Sequence, residues 1–361
     1  MNLNQIIKPT LLLDEKKARH HIAHMTAKAR NAQVRFRPHF KTHQSAAIGQ
    51  WFRYEGITAI TVSSVEMALY FADHGWQDIT IAFPLNIRQL PQIASLAQRV
   101  SLHLLLDNTT AAIALSSQLQ TDVSIWLEID AGYGRTGLPW NALDNITAVS
   151  QTVQQLPHLH LTGLLTHAGD TYKARGKTAV LAIHNQTMQR LRHVQSHLQK
   201  RGITTEISIG DTPTCSLVDT LTGIDEIRPG NFIFYDLMQV QIGACQVDDI
   251  SVAVACPVVA IYPERHCIAI YGGAVHLSKE VLIGENGRME YGRIALPTET
   301  SWEILHDDSY VYSLSQEHGL IHASDALLQQ VKIGDLLCIL PVHSCLTANL
   351  LKAYQILTDS H

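Results

Sequence analysis

Over its first two thirds the chain alternates short apolar runs with longer amphipathic stretches. The short segments at residues 34–37, 59–62, 79–82, 101–105, 123–129, 160–166, 205–209 and 226–228 read as strands. Helix-length stretches at 64–73, 88–99, 109–119, 143–156 and 179–199 lie between them, and a strand at 10–14 and a helix at 15–32 precede the series. Several strands are apolar along most of their length, as burial on both sheet faces requires. Eight such strands with intervening helices predict an α/β fold, a (β/α)8 barrel of the TIM type, rather than a short doubly wound sheet. After about residue 240 the rhythm changes. Strand-like runs at 252–261, 268–271, 310–314 and 336–340 are separated by turns containing Gly, Pro and Asp, and long helical patterns are scarce. The expected organisation is a barrel over 10–240 and a mainly β domain over 245–361, joined by residues 1–9.

Composition narrows the class. With 46% hydrophobic and 16% charged residues in 361, the chain can fill a sizeable core, which excludes global disorder. The net charge of -5 and the lack of a dense Lys/Arg run give no electrostatic ground for binding nucleic acid or an acidic membrane. No run of about 18 apolar residues could span a bilayer, and the start MNLNQIIKPTLLLDEKK lacks the features of a secretory signal. The cysteines at 215, 245, 256, 267, 338 and 345 form no CxxC pair, so reduced thiols in the cytoplasm are the expectation. Histidine is the oddity: 20 residues against 27 Lys+Arg suggest a pH switch or metal ligands.

Chemistry collects at predicted strand ends, where barrel active sites sit. In RPHFKTHQ, Lys41 lies just beyond the first barrel strand, with Arg37, His39 and His43 near it in sequence. A lysine held there can form a Schiff base; alone, it would pass for an exposed loop lysine. GDTPTCS after the seventh strand offers Gly210, Thr212, Thr214 and Ser216, and RPGN after the eighth offers Gly230 and the Asn231 amide. Either loop alone could be a structural turn. Together with Lys41 they point to a phosphorylated aldehyde, pyridoxal 5'-phosphate (PLP), anchored by its phosphate and bonded to the lysine. No GxGxxG opens a helix after a strand with an acidic residue following it, and GDTPT lacks the GK[ST] ending of a P-loop, which argues against a dinucleotide or a P-loop nucleotide.

EIDAGYGRTG carries Arg135, which can bind a carboxylate, contact the cofactor or form a surface salt bridge. GLLTHAGDTY places His167 at a strand end, to pack beside a PLP ring, transfer a proton or hold the core, with Tyr172 to orient or enclose substrate. In PVHSCLTA, His343 and Cys345 stand at i,i+2; on an extended segment they would face one way and offer zinc an imidazole and a thiolate. Such a pair is incomplete without further ligands. Glu317 and His318 are possible orienting or acid/base groups.

In this order, RPHFKTH, EIDAGYGRTG, LLTHAGDTY, SIGDTPT, EIRPGNFIFYD and PVHSC resemble the eukaryotic-type D-serine dehydratase and D-threonine aldolase family, which is similar to alanine racemases (PLP fold type III). The resemblance spans roughly residues 8–350. It implies a PLP barrel followed by a β domain, Lys41 as the Schiff-base lysine and His167 beside PLP. Thr212, Gly230 and Asn231 would contribute to the phosphate pocket, and Tyr235 or Arg228 would neighbour the pyridine nitrogen. It further implies His343 and Cys345 as ligands of zinc or another divalent metal, and a homodimer with active sites near the subunit interface. The cysteine favours the dehydratase branch, since the aldolase branch more often resembles HxD. The expected reaction is elimination of water from D-serine or another D-β-hydroxy amino acid, with aldol cleavage and noncatalytic PLP binding as rivals.

Overall fold

The computed structural model describes residues 5–284 and 287–358. Residues 1–4, part of the segment expected to join the C-terminal domain, lie outside them. Contacts divide the chain into two compact units, one formed by Ala23–Gly230 and the other by the chain up to Ile22 together with Asn231 onward.

In the first unit eight parallel strands follow one another: Arg35–Phe36, Ala59–Val62, Asp78–Pro84, Ser101–Leu106, Val123–Asp130, Leu159–Leu165, Glu206–Ile209 and Glu226–Ile227. From the second to the eighth each pairs with its successor, and the eighth pairs with the first. The ring closes between first and second strands through a parallel bridge of His39 with Thr61. The first strand is short because Pro38 has no N–H to continue the ladder, though its carbonyl still accepts from Thr61 N at 2.9 Å. Apolar positions such as Ile60, Val62, Ile79, Ile125, Leu127 and Ile207 are fully buried, the pattern that made these strands visible in sequence.

Short polar side chains start the helices that follow. Ser64, Asn108 and Asp211 each accept the backbone N–H three residues on, satisfying a donor the helix cannot. Helix Ala46–Tyr54, absent from the sequence reading, starts the same way at Ser45. The stretch read as one helix over 88–99 is a 3-10 turn, Ile87–Gln89, leading into helix Leu90–Ala97. Pro91 sits in the first turn of that helix, where its missing N–H costs nothing.

The second unit is mainly β. Strands Val252–Tyr262, Cys267–Tyr271, His318–His322, Tyr310–Leu314, Gly292–Pro297 and Leu336–Pro341 form a closed antiparallel ring. Thr10–Asp14, grouped with the barrel in the sequence reading, pairs instead with Val252–Tyr262 and with Tyr354–Leu357. Leu11, Leu12 and Leu13 are all buried there, so this strand is covered on both faces. Among the described residues no helix is long and apolar enough to cross a membrane.

Candidate active site

The C-terminal ends of the barrel strands carry the predicted chemistry. Beyond the first strand, Lys41 is exposed while His39, Thr42 and His43 beside it are buried. The Lys41 backbone N–H donates to His39 Nδ1 at 3.4 Å, leaving that nitrogen an acceptor. Burial first, and then the charge of Lys41, hold both His39 and His167 well below the ordinary imidazole value, with Arg135 and Arg228 adding to the effect. Both imidazoles are therefore neutral, and these five groups share one electrostatic environment at the ends of strands one, five, six and eight. His43 and Arg37 are not part of it. His43 packs against Phe40 at 4.4 Å and Phe52 at 5.7 Å. Arg37 instead donates through Nε to Glu226 at 2.9 Å and bonds Asp78.

The loops after strands seven and eight are adjoining, with Arg228 N donating to Ile209 O at 2.8 Å. Asp211 accepts from Thr214 N and from Thr171 Oγ1, both at 2.9 Å, and so shapes the first loop. Thr212 Oγ1 is buried without a hydrogen-bond partner among the described residues. An orphaned buried hydroxyl is costly, and a phosphate oxygen is the partner that the sequence reading assigns it. Tyr172 Oη accepts from Thr212 N at 3.5 Å, and its ring lies 5.8 Å from that of His167. Gly230 is required by close approach: a Cβ there would sit 2.8 Å from His39 O. Arg228 is buried, donating through Nε to Ser208 Oγ at 2.7 Å and through Nη2 to Thr166 O at 2.9 Å. An exposed lysine, neutral imidazoles, a buried guanidinium and an orphaned hydroxyl fit PLP.

Asn231 and Tyr235 belong to the second unit. Asn231 Nδ2 donates to Asp236 Oδ2 at 2.6 Å, Ser344 Oγ at 3.1 Å and Cys345 Sγ at 3.6 Å, so its amide hydrogens address the terminal Ser-Cys segment. The ring of Tyr235 meets His21 edge to face at 4.9 Å.

After strand five, Asp130 Oδ1 accepts from Gly132 N at 2.8 Å and Gly134 N at 3.0 Å, folding the loop that presents Arg135. Gly137 closes it at φ +98, where a Cβ would lie 2.9 Å from Glu128 O. Glu128, Tyr133, Arg135 and His167 line a cavity of about 10 Å³, room for roughly one water. Burial pushes the Glu128 carboxyl up, against the hydrogen bond it accepts from Thr136 Oγ1.

The terminal pair requires a correction. His343 and Cys345 do not lie on an extended segment. The strand ends at Pro341, His343 is the residue before helix Ser344–Leu351, and Cys345 is in that helix's first turn. The two side chains nevertheless hydrogen-bond. Burial would lower the His343 pKa, but Cys345, helped by Asp236 and Glu280, raises it to about 9. His343 Nδ1 is buried without a hydrogen-bond partner among the described residues. Imidazole and thiolate suit zinc, yet no group of three or more His, Cys, Asp or Glu that could hold a metal occurs among the described residues. The pair thus supplies two donors, and water or substrate would have to supply the rest. His318 is exposed on its strand, and Glu317 faces His276 at 3.7 Å.

Sequence reasoning missed Glu226, Ser208 and Asp236. A signal existed for Glu226: an acid two residues before Arg228 on an extended segment shares its face of the sheet.

The alanine racemase N-terminal domain family matches residues 13–237, and a serine dehydratase domain family matches 251–357. The chain is 27% identical to D-threo-3-hydroxyaspartate dehydratase of Delftia sp. HT23, over 97% of this chain and 93% of that protein. The solved structure of that enzyme covers 99% of this chain and 96% of its own, with a TM-score of 0.91 and 26% identity. A cysteine-to-alanine variant of it, solved in a metal-free form, has the same TM-score of 0.91. D-serine dehydratase of Dictyostelium discoideum is 27% identical over 100% of this chain and 95% of its own. An alanine racemase-like protein of Idiomarina loihiensis is 29% identical, with a TM-score of 0.89 over 98% of this chain and 94% of that one. The chain therefore belongs to the alanine-racemase-like family of PLP-dependent enzymes, with D-serine and D-threo-3-hydroxyaspartate dehydratases among its relatives.

Proposed function

We propose that the protein is a PLP- and zinc-dependent lyase that eliminates water from a D-β-hydroxy amino acid, with D-serine as the named substrate, giving a 2-oxo acid and ammonia. The observation that carries this reading is the joint presence of Lys41 among neutral imidazoles at the barrel strand ends and the hydrogen-bonded His343–Cys345 pair. Lys41 would hold the cofactor through its aldehyde, and its free amine would be the base for the Cα proton. His39 and His167 can hydrogen-bond without adding charge. Thr212 Oγ1 and the backbone around Gly230 receive the phosphate, and Arg135 offers a cation to the substrate carboxylate. Bound PLP supplies the electron sink that makes the Cα proton removable. His343 and Cys345 would hold zinc or another divalent metal, whose contribution is to make hydroxide a better leaving group.

The dehydratase names of the relatives from Delftia and Dictyostelium and the cysteine at 345 both favour elimination over aldol cleavage. Metal-replete holoprotein incubated with D-serine should release pyruvate and ammonia in equal amounts. Absence of pyruvate under conditions where PLP is bound would overturn the substrate assignment. With D-threonine, 2-oxobutanoate and ammonia mark a dehydratase, whereas glycine and acetaldehyde mark an aldolase. We also propose a homodimer, which light scattering should show as twice the 40.0 kDa chain mass.

A further inference from the structure

We infer that Glu226 is a positioning residue for the cofactor: through Ser208 it orients the Arg228 guanidinium and supplies the buried negative charge that balances it. This rests on the PLP reading above.

The geometry is a chain of single bonds with a direction. Arg228 Nε donates to Ser208 Oγ at 2.7 Å, and Ser208 Oγ donates its one proton to Glu226 Oε1 at 2.8 Å. A cation at one end and a carboxylate at the other orient the hydroxyl; a glutamine at 226 could still accept its proton but would supply no charge. Arg228 Nη2 donates to Thr166 O, while Nη1 lies where a Cβ on Gly210 would come within 2.9 Å. The fork is therefore held against strands six and seven and against the backbone of the loop that carries Thr212.

Charge singles out the same residue. Burial is the main influence on Arg228 and pulls its pKa down to about 10, so it stays charged at neutral pH, with Glu226 the strongest opposing influence. The other groups acting on it or sharing its environment are Cys215, Glu128, Arg37, His39, His167, Arg135 and Lys41. Burial pushes the Cys215 thiol and the Glu128 carboxyl toward their neutral forms and keeps both histidines neutral. Burial would raise Glu226 too, but Arg37, Arg228 and Ser208 together reverse it and keep the carboxylate ionised. An unbalanced buried cation is costly, and Glu226 is the carboxylate that removes that cost beside the cofactor site.

The test titrates full-length apoprotein with PLP and follows the absorbance band of the lysine-linked cofactor against pH, with melting curves as a fold control. Glu226→Gln should weaken PLP binding about tenfold. It should also move the band's titration midpoint down by about one pH unit, because uncompensated Arg228 and Arg37 disfavour a protonated cofactor linkage. Glu226→Asp should restore much of the midpoint. Ser208→Ala keeps the charge but breaks the bridge, and should weaken PLP binding severalfold with the midpoint nearly unmoved. A Glu226→Gln protein that folds, binds PLP as tightly as wild type and keeps its midpoint overturns the inference. If Glu226→Gln does not fold, unchanged PLP affinity in Ser208→Ala overturns it instead. A wild type without a lysine-linked band overturns the cofactor reading itself, and the inference with it.

Discussion

The histidines at the barrel strand ends and the histidine beside the last helix stand in opposite fields. His39 and His167 are surrounded by Lys41, Arg135 and Arg228, so burial and neighbouring charge both drive them neutral. His343 is also pulled down by burial, but Cys345, Asp236 and Glu280 reverse the outcome. Burial alone therefore says little about a histidine's role; the sign of its neighbours decides. A cation-rich pocket suits a phosphate and a carboxylate, and leaves its imidazoles free to accept hydrogen bonds. An anion-rich pocket holding an imidazole suits a cation. His39, His167 and His343 divide along that line.

The largest expected effect breaks the barrel side alone. Lys41→Ala should abolish the lysine-linked absorbance and lower turnover on the order of 10³-fold or more. Its far-ultraviolet spectrum should stay native, because Lys41 is exposed. A persisting lysine-linked band would remove Lys41 from the cofactor site. Cys345→Ala breaks the other side. Zinc content should fall below stoichiometric and D-serine elimination about 10²-fold, with the lysine-linked band intact. Undiminished zinc and turnover would mean the pair is not a metal site. If either substitution removed both signatures, the two regions could not be treated as separate.

Much of the barrel was legible because parallel strands buried on both faces advertise themselves as unbroken apolar runs, as at Ala59–Val62 and Val123–Asp130. Lys41 was singled out only by context: alone it reads as a loop lysine, and the glycine and threonine loops after strands seven and eight gave it a second reading. The C-terminal strands were harder. Trp302–Ile304 and Gly292–Pro297 are short or carry Gly and Pro, so no period develops. The geometry of His343 and Cys345 was misread for a specific cause. The residue before their helix is a histidine that makes no capping bond, so the sequence announces no helix start. The cap comes from 108 residues away, where Asp236 accepts from Ser344 N at 3.0 Å. No local pattern contains that information. The Arg37–Glu226–Ser208–Arg228 chain was hidden likewise, since its members lie on three different strands or strand ends and meet only when the barrel closes.

A third prediction separates scaffold from chemistry within the barrel. Arg37 bonds both Glu226 and Asp78, and Asp78 in turn faces His103 at 3.2 Å. Removing Arg37 takes from the buried Glu226 carboxylate its nearest cation and leaves it the Ser208 hydrogen bond, so Arg37→Ala should cost about 3–5 kcal/mol in denaturant unfolding. A loss within about 0.5 kcal/mol would show that water or a shift of Arg35, 3.7 Å from Glu226, replaces it.

The smallest effect tests the claim that burial without cations already neutralises a barrel histidine. His43 sits between Phe40, Phe52 and Phe71, burial takes its pKa down to about 3, and its Nδ1 accepts from Ser45 N. Its folded value lies below its unfolded value of about 6.5, so the unfolded chain binds the proton more readily across that interval. The stability contributed by neutral His43 is complete above about pH 6.5 and is lost as pH falls toward 3. His39 and His167 shift in the same direction and steepen the loss. His43→Phe keeps the aromatic packing and removes the titration. Urea unfolding at pH 7.5 and 4.5 should show the wild type losing about 2–3 kcal/mol more than the variant over that step. Parallel losses would mean that His43 takes up its proton in the folded state at an ordinary pH, and the burial argument for His39 and His167 would then rest on their cationic neighbours alone.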